Sequence, residues 1–418
     1  MYCGNCFRDN ALIGALRALG HSAVMVPLYL PMTLDEPDNS AGTPLFYNGL
    51  NVYLEQLSVL FRKAPRWLHN ALASKSLLKL AAGRAAQTRA ADVAEITLSM
   101  LQGEEGKQAR ELEELIAWLN TQPRPDVICL SNALLIGMLR RLKSELHCPV
   151  ICTLQGEDSF LDALPDSHRQ RCWHVVAERA TEADLFIAPS HYYAELMGKR
   201  LGLASQKLRV VYNGISLHGY APPGAAEGRP PTPVLGFFGR MCREKGLGLL
   251  IDAYLLLRKK AGELKLRVGG SCGPSDEPFV TEQRRKLEAA GVLGDAQFFP
   301  NLDRAAKLDF FRSLSVMSTP ALYGEAFGLY LIEAMAAGVP VVQPRHGAFP
   351  ELVAATGGGI ICDPTAEGLA RGIEQLLRDP ITLGNLADAG RKAVFQRFNT
   401  ERMARDVAAV CEELVVAK

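Results

Sequence analysis

The stretch YGEAFGLYLIEAMAAGVPVV, residues 323–342, carries two carboxylates, Glu325 and Glu333, on either side of a glycine turn. Its pattern places Glu325 in a loop, Gly328 at a turn, Glu333 inside a helix that opens there, and a buried strand over Val339–Gln343. A helix start offers free N–H groups and the positive end of the helix dipole, a setting for the phosphates of a nucleotide. Carboxylates flanking such an anion site need another partner, and sugar hydroxyls would serve. Glu333 is ringed by Leu331, Ile332, Ala334, Met335 and Ala336, and a carboxylate among apolar neighbours needs a reason to be there. The stretch reads as a site for a sugar nucleotide. A glycoside hydrolase could also use two acids as acid and nucleophile, but the phosphate-suited helix start between them argues against it.

Outward from this stretch, short apolar runs alternate with amphipathic helical patterns. Strands are expected at Val24–Leu28, Val127–Leu130, Val150–Leu154, Leu185–Ala188 and Leu208–Tyr212, then at Val234–Phe238, Leu264–Val268, Gln297–Pro300, Val316–Pro320 and Gly359–Cys362. Continuous Val/Ile/Leu runs between helices indicate parallel sheets covered on both faces. The fold class is doubly wound α/β, twice over, which suits 418 residues. His218–Pro233 is rich in Pro and Gly without apolar period, so residues 216–233 read as a linker between domains at 1–215 and 234–395. Residues 51–119 form a helical insertion, and Thr400–Val416 is an amphipathic helix within a tail, 396–418, that packs back on the first domain. Asn10–Leu19 is a helix ending at Gly20, preceded by a polar loop, Met1–Asp9. No strand pattern precedes it, so the first strand of the N-terminal domain is expected to be missing, by truncation or replacement.

Composition narrows the function. Lys plus Arg number 46 against 45 Asp plus Glu, a net charge of +1, which gives no general attraction to nucleic acid. Ten scattered cysteines suit reduced thiols in a cytoplasmic protein. Cys3 and Cys6 form an isolated CxxC, read as loop thiols without a metal. No run approaches the length of a membrane span. Between Gln56 and Ala91 lie seven basic residues and no acid, mixed with Trp67, Leu77 and Leu80. Such a helix suits peripheral contact with an anionic inner membrane surface, and equally the solvated face of a packed helix.

Three motifs together, Phe238-Gly239-Arg240-Met241-Cys242-Arg243-Glu244-Lys245-Gly246, the Glu325/Glu333 pair, and Gly347-Ala348-Phe349-Pro350-Glu351-Leu352-Val353, resemble the retaining glycosyltransferases of family 4 with the GT-B fold. The resemblance is strong over 234–395. In 1–215 it rests on Leu154-Gln155-Gly156-Glu157-Asp158, Tyr212-Asn213-Gly214 and the loop-helix start. It implies two Rossmann-like domains facing a cleft, a nucleotide-sugar donor, a saccharide or lipid-linked acceptor, and no resident cofactor or obligatory metal. In this reading Arg240 and Lys245 stabilise the leaving diphosphate, and Glu325 holds donor-sugar hydroxyls near the reacting carbon. Glu333 takes the ribose. Phe327 packs the turn, the N–H groups of Gly328 and Leu329 meet the phosphates, and Gly270, Leu302 and Gly4 line the donor site. Gln155, Asp158 and Asn213 belong to the acceptor and sugar side. Gln155 stands where many members carry a histidine, and Ser216 where an aspartate is usual. A non-catalytic sugar-nucleotide sensor, and an epimerase or phosphorylase of the same fold, remain as alternatives.

Overall fold

The computed structural model describes residues 4–28, 37–40, 42–47, 52, 90–224, 230–260 and 263–416. Two parallel sheets carry the fold. The first joins β1 (Ile128–Leu130), β2 (Val150–Thr153), β3 (Leu185–Ala188) and β4 (Leu208–Val210) in that order, with Ile128 beside Val150 and Ile151 beside Leu185. The second comprises β5 (Val234–Phe238), β6 (Lys265–Gly270), β7 (Ala296–Pro300), β8 (Val316–Met317), β9 (Val341–Pro344) and β10 (Gly359–Cys362), in the order β10-β9-β8-β5-β6-β7. Both sheets are the parallel α/β kind that the apolar runs indicated.

Strand alternation divides each sheet's residues between two cores. In the first sheet, Val150, Cys152, Phe186 and Ala188 join the helices Ala90–Leu101, Ala109–Leu119 and Asp166–Ala180. Ile151, Leu185 and Ile187 face the opposite way, onto Leu12 of the first helix and Met403, Val407 and Val410 of the last. In the second sheet, Leu235, Phe237, Val268 and Val342 pack on the Leu247–Lys260 and Ala366–Arg378 helices, while Val234, Met317 and Val341 pack on Leu329–Ala336. The chain crosses between sheets twice, and the crossings are tied together. The Ile215 N–H donates to Phe398 O at 2.9 Å, and the Thr400 N–H donates to Ile215 O at 3.1 Å.

Several expectations are corrected. Val24–Leu28 is not a strand: Leu28 makes a single bridge to Phe46, and Val24 is 59% exposed. A strand needs a neighbour with an open edge, and among the described residues none lies beside it. The first helix runs from Gly4 to Ala18 and so takes in most of the loop expected at Met1–Asp9. Its early turns look polar in sequence because their partners are distant. Arg8 bonds Asn213 at 3.2 Å, and the Asn10 amide bonds Pro37 O at 3.0 Å and the Asn39 N–H at 2.8 Å. Val339 closes the preceding helix, its N–H reaching Ala334 O at 2.9 Å as Gly338 N–H reaches Met335 O, so β9 starts two residues later.

The segment after Ser216 is laid along the Arg304–Arg312 helix, with Arg304 donating to His218 O at 2.8 Å. The basic stretch 56–91 falls outside the described residues except for its last two positions. Among the described residues no helix is long and apolar enough to cross a membrane.

Candidate donor and acceptor site

The site begins with a backbone feature. Gly328 takes φ +97° and forms the N-cap of the Leu329–Ala336 helix without any side-chain cap. That left-handed conformation suits glycine, and a side chain there would be strained. The N–H groups of Gly328, Leu329 and Tyr330 find no acceptor among the described residues. Gly4, at the start of the first helix, faces this point: a Cβ on it would lie 3.7 Å from Leu329 Cδ1. Both domains therefore meet at the open helix end.

Glu325 is held beside it by charge and by phenols. Lys245 Nζ lies 2.5 Å from Glu325 Oε2, with side-chain exposures of 20% and 13%. The Tyr330 hydroxyl donates to the same oxygen at 2.8 Å, and the Tyr323 hydroxyl lies 3.4 Å from it. Oε1 has no partner among the described residues. Burial opposes the Lys245 charge, but Glu325 and Tyr323 outweigh it and hold the ammonium above its ordinary pKa. Burial and the Glu325 charge together push the Tyr330 hydroxyl far up, so it stays protonated and can donate. The Lys245 ammonium also lies over the Tyr323 and Tyr330 rings, at 5.1 and 5.2 Å.

One helical turn on, Glu333 pairs with Lys307 at 2.9 Å, the two side chains 15% and 9% exposed. Lys307 Nζ lies 6.0 Å from the Phe7 ring of the first domain. The sequence reading missed Lys307. It also missed Tyr330, whose relation to Glu325 exists only once the Gly328 turn folds back.

Arg240 departs from the expected pairing with Lys245. Its guanidinium forks onto Asp276, with Nη2 at 2.8 Å and Nε at 3.0 Å, and its side chain is 56% exposed. The hydrogen bond to Asp276 raises its pKa against a smaller opposing effect of burial. The loop carrying both cations therefore splits them: Lys245 turns to Glu325 and Arg240 to the Glu277–Ala289 helix.

Three other expected donor residues serve packing in this structure. Phe327 is 3% exposed, with its ring 6.3 Å from both Tyr212 and Phe398, so it sits under the turn and offers no face to a donor. Gly270 ends β6, and a Cβ on it would fall 1.9 Å from Gly239 O. Close backbone approach accounts for that glycine. Leu302 is half-buried against the core that contains Phe327 and Leu331.

On the other side of the cleft, Asn213 Nδ2 donates to Gln155 Oε1 at 3.2 Å, and Asn213 Oδ1 accepts from Arg8 Nε at 3.2 Å. The Gln155 Nε2 and Arg8 Nη2 groups at the ends of this relay are buried without a partner. Asp158 takes the Tyr193 hydroxyl at 2.8 Å, and burial raises its pKa. Glu157, two residues after Gln155, is 4% exposed and turned inward. Its carboxylate accepts the Ala133 N–H at 2.6 Å, the Gln155 N–H at 2.8 Å and the Tyr193 hydroxyl at 3.0 Å. It shapes the Gln155 loop and does not reach the cleft.

Comparison with known proteins points to the glycosyltransferases. A family model described as glycosyl transferases group 1 matches residues 226–393, and one described as glycosyltransferase family 4 matches residues 47–218. The chain is 29% identical over 227 residues to a D-inositol 3-phosphate glycosyltransferase of Jonesia denitrificans, covering 51% of this chain and 53% of that protein. It is 30% identical to the lipopolysaccharide core biosynthesis mannosyltransferase LpcC of Rhizobium leguminosarum, covering 49% of this chain and 60% of that one. The match thus spans little more than half the length of these curated relatives. Among solved structures, Anabaena HepE in complex with UDP superposes with a TM-score of 0.63 at 20% identity, over 75% of this chain and 84% of that one, and shares the fold.

Proposed function

From the premise that this chain belongs to the family 4 glycosyltransferases of the GT-B fold, we propose that it moves a sugar, with retention of anomeric configuration, from a nucleotide-sugar donor to a saccharide or lipid-linked acceptor. The observation that carries the reading is the uncapped helix start at Gly328, whose first N–H groups find no acceptor among the described residues, with Lys245 and Glu325 beside it. When the bond from the sugar carbon to the diphosphate breaks, its electron pair leaves with the phosphate oxygen. Charge then grows on the diphosphate, where fixed N–H dipoles and cations favour the transition state over the ground state.

Lys245 serves the near phosphate in this reading, and Arg240, exposed and held on the adjoining loop by Asp276, the outer one. Glu325 Oε1 takes a donor-sugar hydroxyl, and Glu333 takes the ribose hydroxyls. The acceptor lies against Gln155, Asp158 and Asn213. The relatives act on an inositol phosphate and on lipopolysaccharide core by name, which favours a hydroxyl-rich, anionic acceptor. HepE holds UDP, so a uridine diphosphate sugar is the first donor to try.

The test is a thermal-shift screen against UDP-, GDP- and ADP-sugars, followed by release of nucleoside diphosphate with an acceptor panel. A ligand bound only by the folded state raises Tm. Saturating donor is expected to raise Tm by several degrees and to support turnover, and no shift with any donor refutes the proposal. A shift without turnover on any acceptor supports the sensor reading instead.

A further inference from the structure

The loop that carries Glu325 is gripped from both domains, and one residue outside the donor site joins the two grips. Glu351 lies in the first turn of the Phe349–Thr356 helix of the C-terminal domain. Its carboxylate accepts the His191 N–H through Oε1 at 2.8 Å and the Tyr192 N–H through Oε2 at 2.9 Å. Those two groups open the His191–Leu201 helix of the N-terminal domain. One carboxylate in the first turn of one helix therefore compensates the positive end of the other as well. The third N–H of that turn, on Tyr193, goes to the Ser190 hydroxyl at 3.0 Å.

The same turn touches the Glu325 loop directly. The Ser190 hydroxyl donates to Ala326 O at 2.7 Å. The Tyr192 hydroxyl lies where a Cβ on Gly324 would stand, 2.0 Å from that point. From behind, the Ala348 N–H donates to Glu325 O at 2.9 Å, from the residue that starts the Glu351 helix. Glu325 is thus held between two helix starts, and Glu351 is the strut that fixes one to the other.

We propose that Glu351 is a positioning residue: it docks the first turn of the His191–Leu201 helix on the C-terminal domain and so sets the Glu325 loop for transfer. The kinetic half of this inference rests on the reading of Glu325 given above. Glu351 touches no donor atom in that reading, so its loss should change kcat and leave donor affinity alone.

The test uses the full chain with Glu351→Ala and Glu351→Gln. Hydrogen exchange over residues 190–196 is expected to lose protection at two amides in Glu351→Ala and at about one in Glu351→Gln, whose single carbonyl oxygen can accept for only one side. The kcat, corrected for folded fraction, should fall about tenfold in the alanine variant and recover partly in the glutamine variant, the size of one charge-assisted hydrogen bond. The donor Kd should stay within about threefold, the ordinary scatter of a group that makes no contact. Unchanged exchange in Glu351→Ala overturns the docking, and unchanged kcat overturns the positioning role. A wild-type protein without transfer would instead count against the proposed function, with the exchange comparison still deciding whether Glu351 docks the helix.

Discussion

At Glu325 one carboxylate oxygen is occupied, and the other has no partner among the described residues. Oε2 carries Lys245 and Tyr330, so the side chain cannot rotate without losing both, and Oε1 is left for a ligand. Changing Glu325→Gln removes the charge that matches Lys245 and should lower kcat/KM by about 10²–10³, the cost of one misplaced polar group at a reacting centre. Initial rates with saturating acceptor measure it, and a rate within threefold of wild type would remove Glu325 from the chemistry. Changing Tyr330→Phe leaves the ion pair and deletes only the hydrogen bond that fixes the carboxylate plane. A loss of about tenfold in kcat with Tm little changed is expected, on the order of one hydrogen bond to a charged group.

The Leu329–Ala336 helix works as a unit. Its start is open to an anion, and its fifth residue, Glu333, is the carboxylate that Lys307 neutralises. Both partners are nearly buried, so removing Lys307 leaves the Glu333 carboxylate without its ion-pair partner, and that costs about 3–5 kcal/mol. Lys307→Met should therefore lower Tm clearly, while Lys307→Arg restores most of it. If Glu333 takes ribose, Lys307→Met should also narrow the preference for a ribonucleotide over its 2′-deoxy analogue, read as a ratio of Kd values by calorimetry. An unchanged ratio would place the ribose elsewhere.

For the whole molecule, the decisive feature is the junction of the domains. Tyr212 sits there, its ring 5.4 Å from Phe398 and 6.3 Å from Phe327. Burial, and then its hydrogen bond to Glu351, push its hydroxyl from the ordinary value up to about 12. The folded-state pKa is raised, so this contribution to stability is complete below about pH 10. It is lost as pH climbs from about 10 through about 12. Tyr212→Phe should therefore show a shallower fall of Tm over that window than the wild type, and superimposable curves would mean the hydroxyl is not held at the junction. Turnover should also survive saturating chelator, because Lys245, Arg240 and the helix start supply the charge assigned to the diphosphate. Loss of transfer on adding EDTA, restored by a divalent cation, would refute that assignment.

Period and composition alone determined the two parallel sheets, most strand positions and the helix that begins beyond Gly328. These depend on neighbours within a few residues, and side-chain pattern and glycine conformation report such neighbours directly. The glycine turn between them singled out Glu325 and Glu333, and the resemblance added Lys245 and the separate roles. Only the tertiary structure decided what each one faces. Lys245 and Glu325 are 80 residues apart in sequence, Arg8 and Asn213 are 205, and Glu351 and His191 are 160. Arg240 looked like Lys245 in sequence and went to Asp276. Glu157, beside Asp158 in the same motif, turned inward to three donors. An ion pair or a helix cap is chosen by which charges arrive within about 3 Å of each other, and chain folding, not local spacing, brings them there.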